Sequence, residues 1–174
     1  MKYAIYTFIV LVAAIIGLEC CEMSRFKDFG YDDAKHAFAW GDINTRIVGA
    51  DKKVDEDNSV REAPYDLHVW FALKLQAPPQ TSCHAAIESV SLIAANTKEV
   101  VFSKSGIKAD FESSSEKDIY KAFFSFKWLN FNYVDYDLDI TFSLESCNQV
   151  KVSEQLVLPV KKNYREKRIT ILNQ

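Results

Sequence analysis

The chain has 174 residues, a formal net charge of −3, 48% hydrophobic residues and 13% aromatic residues. This composition provides enough apolar surface for one folded core and excludes a disordered or low-complexity chain. A protein that follows a nucleic-acid backbone is usually basic, so the acidic balance excludes nucleic acid as an expected partner.

The N-terminus carries a long apolar segment. Lys2 precedes sixteen uncharged residues, Tyr3 to Leu18, and Glu19 begins a polar stretch. A membrane-spanning helix needs about 20 apolar residues, whereas the core of a signal peptide has about 7–15. Residues 1–21 are therefore predicted to form a signal or anchor helix, and the rest of the chain is predicted to be exported.

The end of this segment, Leu-Glu-Cys-Cys, resembles the lipobox of bacterial lipoproteins, in which leucine and two small residues precede the lipid-bearing cysteine. Leu18 stands at the required distance from Cys21, while Glu19 and Cys20 occupy the positions of the small residues. The resemblance covers residues 1–21 alone and implies lipid attachment at Cys21 or Cys20. Cleavage with secretion and an uncleaved anchor are the alternatives. All three put the protein in the cell envelope or outside the cell.

Residues 22–64 are predicted to be a partly ordered segment and linker. Tyr31 to Asp42 are predicted to contain one short helix that ends at Gly41, followed by a short strand from Ile43 to Val48. The stretch from Asp51 to Pro64 is rich in charge and is predicted to be an exposed loop.

That charged stretch resembles a calcium-binding loop only in part. Asp55 and Asp57 stand at ligand positions, but Val60 occupies the place where such a loop needs glycine. No metal site is therefore predicted, and no cofactor is expected.

From Tyr65 onward, short runs with apolar residues at alternate positions follow one another. The clearest run extends from Val134 to Leu144, where even positions are apolar and odd positions include Asp135, Asp137 and Asp139. A period of two predicts an antiparallel strand with one buried face. We expect the aspartates on the solvent face, because a straight strand does not wrap carboxylates around an ion.

Two irregularities and one further one-faced row are predicted among these strands. The apolar parity changes between Ile87 and Val90, which indicates a bulge. Gly106 is expected to separate two short strands. The run that ends at Trp128 is predicted to place five residues on one face, namely Tyr120, Ala122, Phe124, Phe126 and Trp128.

Seven to eight strands without a long amphipathic helix predict an all-β fold, an antiparallel β-sandwich over residues 65–174. The strand from Val134 resembles strand F of immunoglobulin-like and fibronectin-type domains, which begins near a corner tyrosine; Tyr136 or Tyr133 is the candidate. The resemblance implies an immunoglobulin-like architecture. A lipocalin-type barrel is the alternative.

Two cysteines, Cys83 and Cys147, remain in the globular part. In an oxidising compartment such an even pair is expected to form a disulfide, here between strand ends or loops. Two free, buried thiols are the alternative.

The residue patterns predict no enzyme. The chain contains no H-x-H, H-E-x-x-H or G-x-S-x-G motif. His68 shares a strand face with Asp66 and Trp70, which is typical of a polar outer face. A nucleophile pair of Cys83 and His84 requires a reduced thiol, which export disfavours.

Two surfaces are predicted as candidate binding sites. The first is aromatic and interrupts the strand alternation, and its alternative role is to cap the end of the core. The second is basic and suits an anionic partner such as lipid headgroups or an acidic protein, and its alternative role is to protect an edge strand. The aromatic residues are Trp128, Leu129, Phe131 and Tyr133, and the basic residues are Lys161, Lys162, Arg165, Lys167 and Arg168.

These features predict an exported, non-catalytic β-sandwich, tethered to the membrane through its N-terminus, that binds a protein or another envelope component. An inhibitor that neutralises an incoming toxin is one version of this function. The alternative is a small ligand-binding barrel or a hydrolase of the cell envelope, which a large internal pocket would favour.

Overall fold

The computed structural model describes residues 21–75, 83–116, 118–147 and 150–172. Within these ranges the chain forms eleven β-strands and no helix. In chain order the strands are β1 (Cys21–Tyr31), β2 (Ala34–Phe38), β3 (Gly41–Lys53), β4 (Asn58–Lys74), β5 (His84–Ala94), β6 (Val100–Asp110), β7 (Glu112–Ser113), β8 (Ile119–Leu129), β9 (Tyr136–Cys147), β10 (Val150–Val160) and β11 (Lys162–Leu172).

The strands form two sheets. The large sheet has seven strands in the order β11-β1-β4-β3-β2, with β8 paired to β4 and β7 paired to β8. The small sheet has four antiparallel strands in the order β10-β9-β5-β6. No described strand pairs with both sheets, so these strands form the predicted sandwich and not the closed barrel that was its alternative.

Strand β4 organises the large sheet because its two halves have different neighbours. Along its whole length it pairs antiparallel with β3. Residues 65–74 also pair antiparallel with β8, whereas Asn58–Arg61 pair in parallel with Arg25–Asp28 of β1. The large sheet therefore divides near the middle of β4, with β8 beside one half and β1 with β11 beside the other.

The core lies between the two sheets and follows the alternation of the strands. In β4 the buried side chains include Tyr65, Leu67 and Phe71, and they face β5 and β9 of the small sheet. Successive side chains of a strand point to opposite faces, so every second residue of β4 and β9 enters the core. The buried row of β9 consists of Tyr136, Leu138, Ile140, Phe142 and Leu144.

Asp137 and Asp139 occupy the outer face of β9, as predicted, and Asp135 immediately precedes the strand. Each interacts with a neighbouring polar group. Lys161 and Lys98 form ion pairs with Asp135 and Asp137 at 3.4 and 3.2 Å, and the Gln155 amide donates to Asp139 at 2.9 Å. These contacts reduce the repulsion among like charges in the row.

The short helix predicted between Tyr31 and Asp42 is wrong. Residues 34–38 form β2, which pairs antiparallel with β3. Phe38 and Trp40 pack against the core, so this pairing buries the apolar residues that suggested a helix. Gly41 stands at a close approach of two strands, since a Cβ there would lie 1.9 Å from the carbonyl oxygen of Ala72.

The exposed loop predicted from Asp51 to Pro64 is much shorter in the structure. Strands β3 and β4 continue into this stretch, and only residues 54–57 connect them. Its charges form cross-strand pairs, Arg61 with Asp51 at 2.7 Å and Lys52 with Glu62 at 3.0 Å. The predicted division after residue 64 has no counterpart in the strand order, because β4 runs through it.

Two of the smaller predictions fail and one is confirmed. The pairing of β5 with β9 shifts register between Ile87 and Ser89, which confirms the bulge. Gly106 does not separate two strands; it lies inside β6 with φ +67°, a conformation that glycine adopts without steric cost. Ala122 and Phe124 are buried as predicted, but Trp128 points away from the core.

Cys83 and Cys147 form a disulfide with a Cα–Cα distance of 4.6 Å. Cys83 immediately precedes β5 and Cys147 ends β9, so the bond joins the ends of adjacent strands in the small sheet. In the described ranges, no helix is long and apolar enough to cross a membrane. The predicted leader, including Cys20, lies outside those ranges, and the backbone of Cys21 begins β1.

Candidate binding face on the large sheet

The outer face of the large sheet carries a group of rings, here named the aromatic surface: the exposed Phe123 and Trp128 and the half-buried His68 and Trp70. Phe123 is 56% exposed and Trp128 is 75% exposed. The Phe123 ring stacks against His68 at a centroid distance of 5.4 Å and against Trp70 at 6.3 Å. These rings lie outside because the alternate residues of β4 and β8 fill the core.

Trp128 projects from a bulge in β8. The pairing of β8 with β4 shifts register between Tyr65 and Leu67, which leaves an extra residue on β8. Trp128 has φ +61°, and its backbone N–H donates to the Asp66 carboxylate at 3.0 Å. A bulky residue at this φ costs about 1–3 kcal/mol, and such residues cluster at functional sites. The fold therefore holds an exposed indole ring in a costly conformation.

Two shallow clefts border the aromatic surface. One, of about 320 Å³, lies between Trp70, Phe123 and the basic side chains of Arg46 and Lys121. The other, of about 390 Å³, lies between Trp128 and residues 48–51 of β3. His68 lines both clefts, so the face combines projecting rings with grooves.

The sequence predicted a different aromatic group, and of its four residues, Trp128, Leu129, Phe131 and Tyr133, only Trp128 is exposed. Phe131 is buried and stacks on Tyr65 at 4.8 Å. Leu129 and Tyr133 are partly buried against the core. These three residues cap the end of the core, which was the alternative role of this segment.

Sequence reasoning missed Phe123 and assigned Trp70 only to a polar outer face. Phe123 occupies an odd position of its strand, between Lys121 and Ser125, where the alternation demands a solvent-facing side chain. A large apolar residue at such a position is a signal that could have identified this surface.

The five predicted basic residues do not form one cluster. Lys161 pairs with Asp135, and the Lys162 ammonium lies 5.8 Å from the centre of the Tyr133 ring. Arg165 lines a separate cleft. Lys167 and Arg168 are exposed on β11, which among the described strands pairs only with β1 and is therefore an edge strand.

The separate cleft, here named the arginine cleft, has a volume of about 490 Å³. It opens where β1 separates from β4, and it also lies on the outer face of the large sheet. Arg46 lines both this cleft and the groove beside Trp70, so the arginine cleft adjoins the aromatic surface. Its charged lining residues are Asp28, Asp33, Arg46, Arg61 and Arg165.

An exposed ionic group lies near the disulfide. The His84 Nε2 atom is 2.7 Å from the Glu145 carboxylate, and Lys108 is 3.4 Å from the same carboxylate. The hydrogen bond from His84, followed by the charge of Lys108, lowers the pKa of Glu145. Cys83 is bonded to Cys147, so no Cys83–His84 nucleophile pair forms. Among the described residues, no three His, Cys, Asp or Glu side chains converge as metal ligands.

No family model, curated protein or solved structure matches this chain. Both features with the character of a binding site, the aromatic surface and the arginine cleft, lie on one face of the large sheet.

Proposed function

We propose that the protein is an exported, non-catalytic β-sandwich that binds a partner protein or another envelope component through the aromatic surface. The observation that carries the proposal is Trp128, 75% exposed in a left-handed conformation; it shares a cleft with His68, which stacks against the exposed ring of Phe123. Tryptophan and other aromatic side chains supply much of the energy of protein interfaces. Soluble monomers rarely expose contiguous large apolar side chains without such a role.

The Cys83–Cys147 disulfide is compatible with an oxidising, exported location. The proposal includes membrane tethering through a lipid at Cys21 or Cys20, for which the support is the lipobox resemblance. The backbone of residue 21 pairs with that of residue 172 at one end of the large sheet. A lipid at Cys21 would then hold this end near the membrane and leave the outer face of the sheet accessible to a partner.

The proposed architecture is immunoglobulin-like. The order β10-β9-β5-β6 corresponds to strands G, F, C and C′ of such domains, and β3, β4 and β8 correspond to A, B and E. The Tyr136 hydroxyl donates to the carbonyl of Asn132 at 2.7 Å, the bond expected of a corner tyrosine. In this assignment β1, β2 and β11 are additions to the large sheet.

The corner hydrogen bond makes a testable contribution to stability. Tyr136→Phe is expected to lower the free energy of unfolding by about 1 kcal/mol, because a typical buried hydrogen bond contributes about 0.5–1.5 kcal/mol. Tyr164→Phe is the control, since Tyr164 is exposed and, within the described part of the chain, its hydroxyl bonds only to Glu166, at 3.2 Å. Urea denaturation measures both variants. Equal losses in the two would contradict the corner assignment.

The aromatic surface can be tested with a variant that retains the fold. Trp128→Gly removes the ring and places glycine at a φ that glycine adopts freely, so stability is expected to stay constant or rise by up to about 1 kcal/mol. Retention of partner proteins from the native envelope by the immobilised full chain is expected to fall more than about 10-fold, as for a truncated hot spot.

Val157→Gly provides the matched control, because Val157 is 53% exposed but lies in β10 of the small sheet. Proteins retained by the wild type and by Val157→Gly, yet lost in Trp128→Gly and in Phe123→Ser, support the proposal. Identical retention by all four chains would rule out the aromatic surface as the binding site.

A further inference from the structure

The arginine cleft brings together three cationic side chains that are far apart in sequence. Arg46 comes from β3, Arg61 from β4 and Arg165 from β11. The cleft exists because β1 pairs with β4 only from Arg25 to Asp28 and then separates from it. Residues on both sides of this separation line the opening.

Two of the guanidinium groups are held in fixed orientations. Arg46 donates from Nε to Asp33 at 2.9 Å and from Nη2 at 2.5 Å, and Arg61 donates to Asp51 in the same way at 2.7 and 3.2 Å. A guanidinium has five N–H donors, so each arginine retains its Nη1 group for another acceptor. Donors already held in place bind a ligand with a smaller loss of conformational entropy.

The third arginine, Arg165, carries a positive charge that no ion pair neutralises among the described residues. Arg165 forms no hydrogen bond or ion pair with the described residues, although Asp28 is its direct partner in the register of β1 and β11. Its influence is electrostatic: the pKa of Asp33 is lowered mainly by the hydrogen bond from Arg46 and further by the charge of Arg165.

The acidic residues limit the charge that the cleft can accept. Asp28 is half-buried, and its Oδ1 atom has no hydrogen-bond partner among the described residues. Arg46 and Arg61 are neutralised by their ion pairs with Asp33 and Asp51, which leaves the positive charge of Arg165 and the negative charge of Asp28 at the cleft. Arg165 therefore offers one unpaired positive charge to a ligand, and Asp28 repels a second negative charge.

We propose that the arginine cleft binds one singly charged oxyanion group, a carboxylate or a phosphate or sulfate ester, that belongs to a larger ligand. The planar fork of arginine matches the paired oxygens of such groups. The volume of about 490 Å³ exceeds that of a bare ion and lies in the range of small-ligand sites. This site goes beyond the proposed partner-binding role and does not depend on it.

The test is an NMR titration of the full chain with sodium acetate, sodium methyl sulfate and sodium dimethyl phosphate, against sodium chloride at equal ionic strength. At least one of the three probes is expected to shift the side-chain Nε–H signals of Arg46 and Arg61 saturably. Strongest binding of acetate identifies a carboxylate, as in an acidic polypeptide. Strongest binding of dimethyl phosphate identifies a phosphodiester, as in a lipid headgroup, and strongest binding of methyl sulfate identifies a sulfate ester.

Three variants make the assignment specific. Arg165→Gln is expected to weaken probe binding about 10-fold, because it removes the unpaired charge. Arg168→Gln removes the same charge from the opposite face of β11 and is expected to have no effect. Asp28→Asn is expected to strengthen binding several-fold and to admit inorganic sulfate, a dianion.

Absence of saturable shifts with all three probes, or equal weakening by Arg165→Gln and Arg168→Gln, would overturn the proposal. Trp128→Gly should leave the titration unchanged, so failure of the aromatic surface and failure of the cleft can be told apart. Arg165→Lys retains the charge but not the fork and is expected to give intermediate binding, which provides a second variant should Arg165→Gln not fold.

Discussion

Phe142→Ala is expected to lower the free energy of unfolding by about 3–5 kcal/mol, the usual cost of truncating a buried phenylalanine. Phe142 is fully buried in β9 at the centre of the sandwich. Its ring contacts Phe71 at 5.1 Å, Phe38 at 5.9 Å and Trp40 at 6.1 Å, so it joins the two sheets. Truncation leaves a cavity among large rings that cannot collapse easily. Urea denaturation followed by tryptophan fluorescence measures the loss.

The outer face of the same strand supplies the control. Asp137→Asn changes a side chain whose partner, Lys98, is itself largely exposed. Exposed ion pairs contribute about 0–1 kcal/mol, so the change in stability should stay below about 1 kcal/mol. If Asp137→Asn destabilised the protein as much as Phe142→Ala, the buried and solvent-facing rows of β9 would have to be exchanged. Calcium-dependent melting that disappears in Asp137→Asn would also contradict this account of the strand.

Removal of the disulfide is the second change with a large expected effect. Cys83 and Cys147 are 64 residues apart, and closing a loop of that length stabilises the folded state by about 4 kcal/mol in the chain-entropy model. The double variant Cys83→Ala/Cys147→Ala is therefore expected to lose about 2–5 kcal/mol of unfolding free energy. Denaturation of the oxidised wild type and of the double variant gives the difference.

A reducing agent separates the disulfide from other effects of these substitutions. It should destabilise the wild type and leave the double variant unchanged. Peptide mass mapping without reduction should recover the Cys83–Cys147 linkage. Free thiols at both positions in freshly purified protein would show that the bond does not form.

The sequence predicts those parts of the fold in which one strand face is uniformly apolar. The row from Val134 to Leu144 is such a case, because hydrophobic burial alone fixes which face enters the core. The bulge near Ile87 is also predictable, since a change of parity requires an extra residue. The disulfide follows from the even number of cysteines in the globular part of the chain.

The errors concern segments whose structure depends on distant partners. Residues 34–38 can form a helix or a strand by local pattern, and their pairing with β3 decides the outcome. The charges from Asp51 to Glu62 suggest a loop until the register with the opposite strand is known, after which they form ion pairs. Local sequence does not contain that register.

The candidate sites also depend on contacts between strands that are distant in sequence. Trp128 was predicted both as a core-facing residue of its strand and as a member of an exposed aromatic group, and only the bulge opposite Asp66 makes the second description correct. Arg165 was predicted within a basic strand, but its neighbours Arg46 and Arg61 come from strands more than a hundred residues away. Predicting such a cleft requires the strand order, which no single stretch of the sequence contains.

The pairing of β1 with β11 has a mechanical consequence. Cys21 pairs with Leu172 and Tyr31 with Lys162, so residues 21 and 172 lie at the same end of two antiparallel strands. A pulling force between these two residues opens the pair from its end, and the hydrogen bonds, which lie across the strands, rupture one after another. Strand β1 stays attached to β4 through Arg25–Asp28, so β11 detaches first at low force while the two-sheet core resists.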